Sequence, residues 1–221
     1  MNNGRKTRIK SAKSDNRTMT LREELKQVTH ERLLNAAKEL FEQEGAETVT
    51  VDQIARQAGT NRTTFYLHFE DKTDIAFKIR SRYRDGDIRS ITHYLTGGNG
   101  VSRNDILKWI RHRSSFFRKH RAIIQLGTES LNKKPELMQE FMDQTIEILN
   151  AGFAGFLGKF GQDERELVLA ELLLCSVMLN RYLYITVIQE VKLPFKTVPD
   201  AIVEIWFNLL SRQPGNQSFN K

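Results

Sequence analysis

Apolar residues recur at helical spacing along almost the whole chain, whereas strand-like alternation is confined to a few residues between Thr48 and Val51. One face of the first predicted helix is formed by Leu25, Val28, Leu33, Ala36, Ala37, Leu40 and Phe41. This helix ends at Gly45 and begins either at Thr29 or at Thr20, whose partner Glu23 completes a capping-box spacing. The pattern predicts an all-α protein.

Two short helices follow, separated by a turn at Gly59. Thr50 with Gln53 has the spacing of a second capping box, which opens a helix that runs to Ala58. Gly59 tolerates the positive φ of the turn, and the next helix runs from near Asn61 to about residue 69. Ala55 and Ala58 are small residues at the predicted crossing of the two helices. Ile54, Phe65 and Phe69 are assigned to their shared core. This is the geometry of a helix-turn-helix over about residues 50–69.

Longer helices are predicted after the polar stretch at residues 70–73. Ser102 with Asp105 caps one of them, and Pro135, Gly161 and Pro199 mark the starts of three others. The predicted spans are residues 74–96, 102–119, 121–132, 135–160, 163–190 and 199–212, with a loop over residues 97–100.

The charge is unevenly distributed. The 221 residues carry a net charge of +7 at pH 7, which indicates a polyanionic partner without naming it. Residues 1–17 hold six basic residues against Asp15 alone and show no hydrophobic periodicity. They are predicted to form a disordered basic arm, although a solubilising tail would have the same composition. Beside a helix-turn-helix, such an arm can add salt-dependent affinity for DNA.

Several classes of protein are excluded. Cys175 is the one cysteine, so an internal disulfide and a multi-thiolate zinc site are ruled out. The five histidines show no metal-ligand spacing, and no glycine-rich phosphate loop is present, so we predict no catalytic residues, no metal and no cofactor. The longest apolar stretch, residues 167–191, contains Glu171, Arg181 and Glu190, which argues against a membrane partner and for a cytoplasmic protein.

The segment from Thr29 to Ile79 resembles the DNA-binding domain of the TetR/AcrR transcriptional regulators. The family pattern T-V-x-x-I-A-x-x-A-G, then x-x-x-T-x-Y-x-H-F and a lysine, is filled by Thr50, Ile54, Ala55, Ala58, Gly59, Thr64, Tyr66, His68, Phe69 and Lys72. One departure is Thr60, where the family more often has an apolar residue.

The exposed polar face of the third helix is the predicted reading surface. Arg62, near the N-terminal end of this helix beside Asn61, is the predicted base reader, and Thr63 is expected to touch a base or its methyl group. The resemblance implies that Thr64, Tyr66 and His68 contact phosphates or flank this surface. Thr50 is expected to bind a phosphate at a helix N-terminus, and the resemblance implies a phosphate clamp at the fourth helix. These DNA-binding candidates are Thr50, Asn61, Arg62, Thr63, Thr64, Tyr66, His68 and Lys72.

The remaining helices are predicted to bind a ligand and to dimerise. The last two are apolar on more than one side, and the resemblance implies that they pair with a second copy in a four-helix interface. The regulatory domain further resembles the EthR-like branch of the family, in which the corresponding residues line an apolar tunnel for a small hydrophobic ligand. By this resemblance the pocket residues are Trp109, Phe116, Asn180 and Trp206. Plain core packing would explain each aromatic equally well.

The predicted organisation is a basic arm at 1–17, a three-helix DNA-binding domain at 18–73, a larger helical ligand-binding and dimerisation domain at 74–212, and a flexible tail at 213–221. The predicted function is a homodimeric repressor that binds a pseudo-palindromic operator in double-stranded DNA and is released by a small hydrophobic or amphipathic effector. A ligand-independent architectural DNA-binding protein is the alternative, and an enzyme is a remote one.

Overall fold

A computed structural model describes residues 20–96, 100–194 and 196–215. Within these ranges the chain is helical and has no strand. The helices are α1 (Leu21–Glu44), α2 (Val51–Gln57), α3 (Arg62–Tyr66), α4 (Lys72–Ser81), α5 (Arg84–Leu95), α6 (Arg103–Lys119), α7 (Arg121–Lys133), α8 (Pro135–Gly152), α9 (Ala154–Leu157), α10 (Gln162–Leu183) and α11 (Val198–Leu210). A π-helical turn, Tyr184–Ile188, continues α10. The predicted basic arm lies outside the described residues, as do most of the predicted loop at 97–100 and of the tail.

The capping residues fix the helix starts. Thr20 accepts a hydrogen bond from the backbone N–H of Glu23 at 3.3 Å, and the Glu23 carboxylate accepts from the backbone N–H of Thr20 at 2.8 Å. This reciprocal pair satisfies two backbone donors, so α1 begins at the earlier of the two predicted starts. Ser102 with Asp105 forms the same box at α6.

Two predicted helices are each divided in the structure. The helix expected over 74–96 breaks at Arg82 and Tyr83, and the one expected over 135–160 breaks at Phe153. The first break contains no glycine or proline, whereas the second directly follows Gly152. At the first break, the Tyr83 ring lies edge-on to Phe116 of α6, with centroids 5.0 Å apart. The first break is therefore accompanied by a contact with α6, and the helix propensities of the neighbouring residues do not predict it.

The apolar face predicted for α1 is buried only in its C-terminal part. Leu25 is 59% exposed and Val28 is 46% exposed, whereas Leu33 is fully buried. The apolar spacing is helical throughout α1, but only its C-terminal part is covered by α2 and α4. A periodic pattern gives the face of a helix and not how much of that face a neighbour covers.

Two apolar cores share the helices at their junction. The N-terminal core is built from α1 to α4 and also takes in Ile123 and Leu126 of α7. The C-terminal core is built from α5 to α11 around Trp206, which is fully buried. Helix α4 packs along α7 and contributes Ile75 and Ile79 to the N-terminal core. The two halves of the molecule are therefore joined by packed helices rather than by a linker.

One segment, Gln162–Ile188, is long and apolar enough to cross a membrane by length and composition. In the structure, Glu171 of this segment forms an ion pair with Arg212, which follows α11. Val168, Leu172 and Leu179 are buried in the C-terminal core. Core helices of soluble proteins commonly have this composition, and these contacts place the segment within the folded helical bundle.

Candidate DNA interface and interior cavity

Helices α2 and α3 form the predicted helix-turn-helix. Thr50 and Gln53 make both hydrogen bonds of the capping box, at 2.8 and 3.2 Å. Gly59 has a φ of +70°, which favours glycine at the turn. Ile54 and Phe65 are fully buried between the helices. The core of the motif is thus formed by the residues that the sequence pattern indicated.

The exposed face of the motif centres on Arg62. Its guanidinium lies 3.1 Å from the Asp52 carboxylate of α2 and donates a hydrogen bond at 3.2 Å to the hydroxyl of Tyr66. Arg62, Thr63 and Tyr66 are exposed, and the Asp52 and Tyr66 contacts orient the Arg62 side chain across the outer surface of the motif. Asp52 was not predicted as a member of this surface. Its position in the first turn of α2 gives no such signal by itself.

Asn61 and Thr64 are partly engaged with each other. The Asn61 side-chain oxygen accepts from the backbone N–H of Thr64 at 2.9 Å and from its hydroxyl at 3.1 Å. Asn61 is therefore the N-cap of α3. Its amide nitrogen remains available for a contact outside the protein.

His68 lies at the edge of the reading surface. Its ring is half-buried, 5.6 Å from the ring of His30. Burial, reinforced by the charge of Lys26, lowers the pKa of His68 below its usual 6.5. The imidazole is therefore mostly neutral near pH 7, so it can form a hydrogen bond without carrying a charge.

Lys72 has a structural role that the sequence did not indicate. Its ammonium group donates to the backbone oxygens of Ala46 at 3.0 Å and Val49 at 2.7 Å. These bonds tie the start of α4 to the connection between α1 and α2. An ammonium has three N–H donors, so one is left over after these two bonds.

An interior cavity of about 90 Å³ lies within the C-terminal helices. Trp109, Phe116 and Asn180 line it together. Trp206 lies outside it and packs edge-on against Trp109, with ring centroids 4.9 Å apart. Trp206 therefore packs behind the cavity wall and does not line the cavity.

The cavity also contains charged residues that were not predicted. Arg113 of α6 forms an ion pair with Asp87 of α5 and donates to the side-chain oxygen of Asn180 at 3.2 Å. Arg84 reaches outward to Glu147 at 3.2 Å, and Arg80 of α4 completes the set. These groups are brought together from separate helices, so sequence spacing carries no signal for them.

Beside the cavity, a polar chain connects the two cores. The Tyr83 hydroxyl lies 3.1 Å from Nδ1 of His120, and the same nitrogen lies 2.8 Å from the Glu42 carboxylate of α1. Burial lowers the pKa of His120, against the opposing effect of Glu42. The chain leads from a residue that lines the cavity to a residue of the N-terminal core helix.

No group of three or more His, Cys, Asp or Glu side chains that could hold a metal ion occurs in the part of the chain that the structure describes. The charged residues of the cavity are mostly arginines, which do not ligate metals.

Comparison with known proteins shows sequence similarity in the N-terminal part of the chain. Residues 33–79 match the family "Bacterial regulatory proteins, tetR family". An HTH-type transcriptional regulator from Staphylococcus aureus (strain USA300) is 38% identical over 64 residues. That alignment covers 29% of this chain and 33% of the relative, so the chain spans about a third of the length of the curated relatives it matches.

Solved structures extend the similarity to most of the chain at the level of fold. A TetR transcriptional regulator from Rhodococcus sp. RHA1 has a TM-score of 0.58 and 19% identity, over 84% of this chain and 97% of that one. A transcriptional regulator from Streptomyces coelicolor A3(2) has a TM-score of 0.50 and 15% identity, over 83% of this chain and 99% of that one.

The fold and the site together define a helix-turn-helix domain followed by a larger helical domain. Residues 33–79 of the helix-turn-helix domain match the tetR family of bacterial regulators, and the fold of the larger part of the chain is similar to that of the Rhodococcus TetR regulator.

Proposed function

We propose that this protein is a cytoplasmic, sequence-specific DNA-binding transcriptional regulator, most simply a repressor released by a small ligand. The observation that carries the proposal is that the family match at residues 33–79 coincides with a motif whose outer face is polar, exposed and led by Arg62. Helix-turn-helix proteins place this face in the major groove. A structural role alone would not require an exposed arginine at this position.

In the proposed complex, Arg62 reads a guanine edge and Thr63 lies against a neighbouring base. Tyr66, His68 and the free N–H of Lys72 contact phosphates, which set the register of α3 on the duplex. Arg62 would exchange its bonds to Asp52 and Tyr66 for bonds to the base. Because the ion pair with Asp52 is exposed, this exchange costs little.

A second copy of the chain is the proposed partner of α10 and α11. These helices expose apolar side chains on their outer surface: Leu174 is 68% exposed, Val177 42% and Ile205 43%. Their inner faces are already occupied by the C-terminal core. Pairing through this apolar face would produce a symmetric dimer with two α3 helices, which predicts a pseudo-palindromic operator.

The cavity is the proposed effector site. Trp109, Phe116 and Asn180 line the same cavity, which supports the proposed likeness to the EthR-like branch. Helix α4 contributes Phe77 to the cavity and Ile75 and Ile79 to the N-terminal core. A ligand that moves α4 would therefore change the position of the reading surface. The loss of DNA-binding free energy would equal the difference in the ligand's binding free energy between the DNA-binding state and the released state.

Selection of bound fragments from random duplex DNA tests sequence recognition. We expect an inverted repeat to emerge. A flat preference across sequences would contradict the proposal and would favour the architectural alternative.

A matched pair of variants then tests the reading surface. Arg62→Ala should weaken binding to the selected operator by about 1–3 kcal/mol per half-site, because it removes a contact to a base. Asp52→Asn removes only the negative charge that pairs with Arg62 and should retain sequence preference. Binding is measured by fluorescence anisotropy, and operator affinity of Arg62→Ala equal to that of the unmodified protein would refute the assignment.

A further inference from the structure

Arg80 is a cation in the cavity wall for which the described part of the chain supplies no carboxylate at salt-bridge distance. Its guanidinium carbon lies 4.4 Å from the centre of the Phe141 ring, which is the one cation–π contact it makes among these residues. An aromatic face offsets part of the cost of burying a charge but does not replace a carboxylate. Arg80 therefore has hydrogen-bonding capacity that its protein neighbours leave unused.

The other charges around the cavity are matched. Arg113 has the Asp87 carboxylate, and Arg84 has Glu147 on the outer side. Asp87 is the one carboxylate among the lining residues, and it is already engaged by Arg113. The cavity and its immediate neighbours thus have one positive charge in excess, and that charge belongs to Arg80.

The surroundings of Arg80 disfavour its charge. Burial and the nearby Arg113 lower its pKa to about 10, so the guanidinium remains charged at pH 7 but in an unfavourable position. A bound anion would relieve both effects, since it supplies an opposite charge and an acceptor for the N–H groups.

The rest of the wall is suited to hydrocarbon. Its apolar members include Phe77, Trp109, Phe116, Phe117, Ile148 and Leu149. The indole N–H of Trp109 is buried and has no acceptor within the described ranges. The cavity therefore combines an apolar surface with an excess cation, in a space of about 90 Å³ that admits only a small molecule.

We propose that the cavity binds a small organic monocarboxylate, whose carboxylate pairs with Arg80 and whose hydrocarbon part lies against the aromatic wall. A single excess cation matches a single negative charge, and the planar guanidinium fork fits a carboxylate in two parallel hydrogen bonds. This assignment rests on the proposed function, because it names the chemical class of the effector for the same cavity.

Intrinsic fluorescence of the full chain gives a direct test. The protein has two tryptophans: Trp109 lines the cavity, and Trp206 contacts Trp109. Titration with butyrate, hexanoate and octanoate at pH 7 should give a saturable change for at least one acid. The matching neutral amide should bind at least tenfold more weakly, since it lacks the charge.

Two variants assign the effect to Arg80. Arg80→Met keeps an unbranched side chain and removes the charge, so it should reduce acid affinity at least tenfold and abolish the preference of acid over amide. Arg82→Met is the control, because Arg82 does not line the cavity and its guanidinium pairs with Glu31 of α1 at 2.7 Å, so it should change acid affinity less than threefold. Thermal unfolding of each variant verifies that the fold is intact.

The outcomes separate this inference from the proposed function. Equal binding of acid and amide, a preference that survives in Arg80→Met, or no binding of any acid in the series would each overturn the monocarboxylate assignment. Operator binding, measured on the same preparation without acid, reports on the proposed function alone. Retained operator binding with failed acid binding would refute only the ligand assignment.

Discussion

Replacement of Lys72 by methionine distinguishes a structural tether from a simple phosphate contact. The Lys72 ammonium donates to the backbone oxygens of Ala46 and Val49, and the group is partly buried. Methionine retains an unbranched stem but leaves both carbonyls without this donor. A hydrogen bond that involves a charged group contributes about 1.5–3 kcal/mol, and partial exposure places these two at the lower end. We expect Lys72→Met to lower the free energy of unfolding by about 2–4 kcal/mol.

Urea unfolding followed by circular dichroism measures this loss, and a thermal scan should show a decrease in Tm of about 4–16 °C for a chain of this size. Lys78→Met is the matched control on the same helix. Lys78 pairs with Glu140 at 3.2 Å, and both side chains are 39% exposed, so its loss should cost less than about 1 kcal/mol. If Lys72→Met were as stable as Lys78→Met, the two carbonyl bonds would not stabilise the fold, and Lys72 would act through DNA alone.

Two further predictions concern packing and pH. An added Cβ at Gly152 would lie 2.9 Å from Cγ2 of Ile91, so Gly152→Ala should destabilise the protein by about 1–3 kcal/mol in chemical denaturation. The cost should be smaller in an Ile91→Ala background, which removes Cγ2 and Cδ1 but keeps the Cβ at 3.1 Å; an equal cost in both backgrounds would contradict this contact. The pKa of His120 is lowered from 6.5 in the folded state, so the unfolded state binds more protons below about pH 6.5 and stability should fall as the pH falls. His120→Gln should reduce that slope in unfolding measured between pH 5 and 8, and an unchanged slope would contradict the assignment.

The sequence predicted the helices best where a local signal exists. Thr20, Thr50 and Ser102 each begin a helix through a capping box with the residue three positions later. The break at Tyr83 could not be predicted from the neighbouring residues. The contacts that accompany it are made to Phe116 and His120, which are distant in sequence. The exposure of Leu25 was equally invisible, since it depends on where the neighbouring helices end.

The candidate sites divide in the same way. The outer face of α3 could be predicted because it is a short, continuous motif with a known periodicity. The pairing of Arg113 with Asp87 could not, since the two residues are 26 positions apart and their spacing in the chain does not record which helices pack together. Arg80 was hidden for the same reason. A basic residue on a predicted helix gives no indication that its partner is missing.

The participation of Ile123 and Leu126 in the N-terminal core limits how this molecule can be divided or recombined. A fragment that stops at the end of α4 would expose the apolar surface that α7 covers, so it should aggregate or fold poorly when expressed by itself. A chimera that joins this helix-turn-helix to the C-terminal half of another protein of this fold would need to take α7, or its two apolar contacts, from the same parent as α1 to α4. The unit that can be exchanged between proteins therefore consists of two separate stretches of the chain, α1 to α4 and α7.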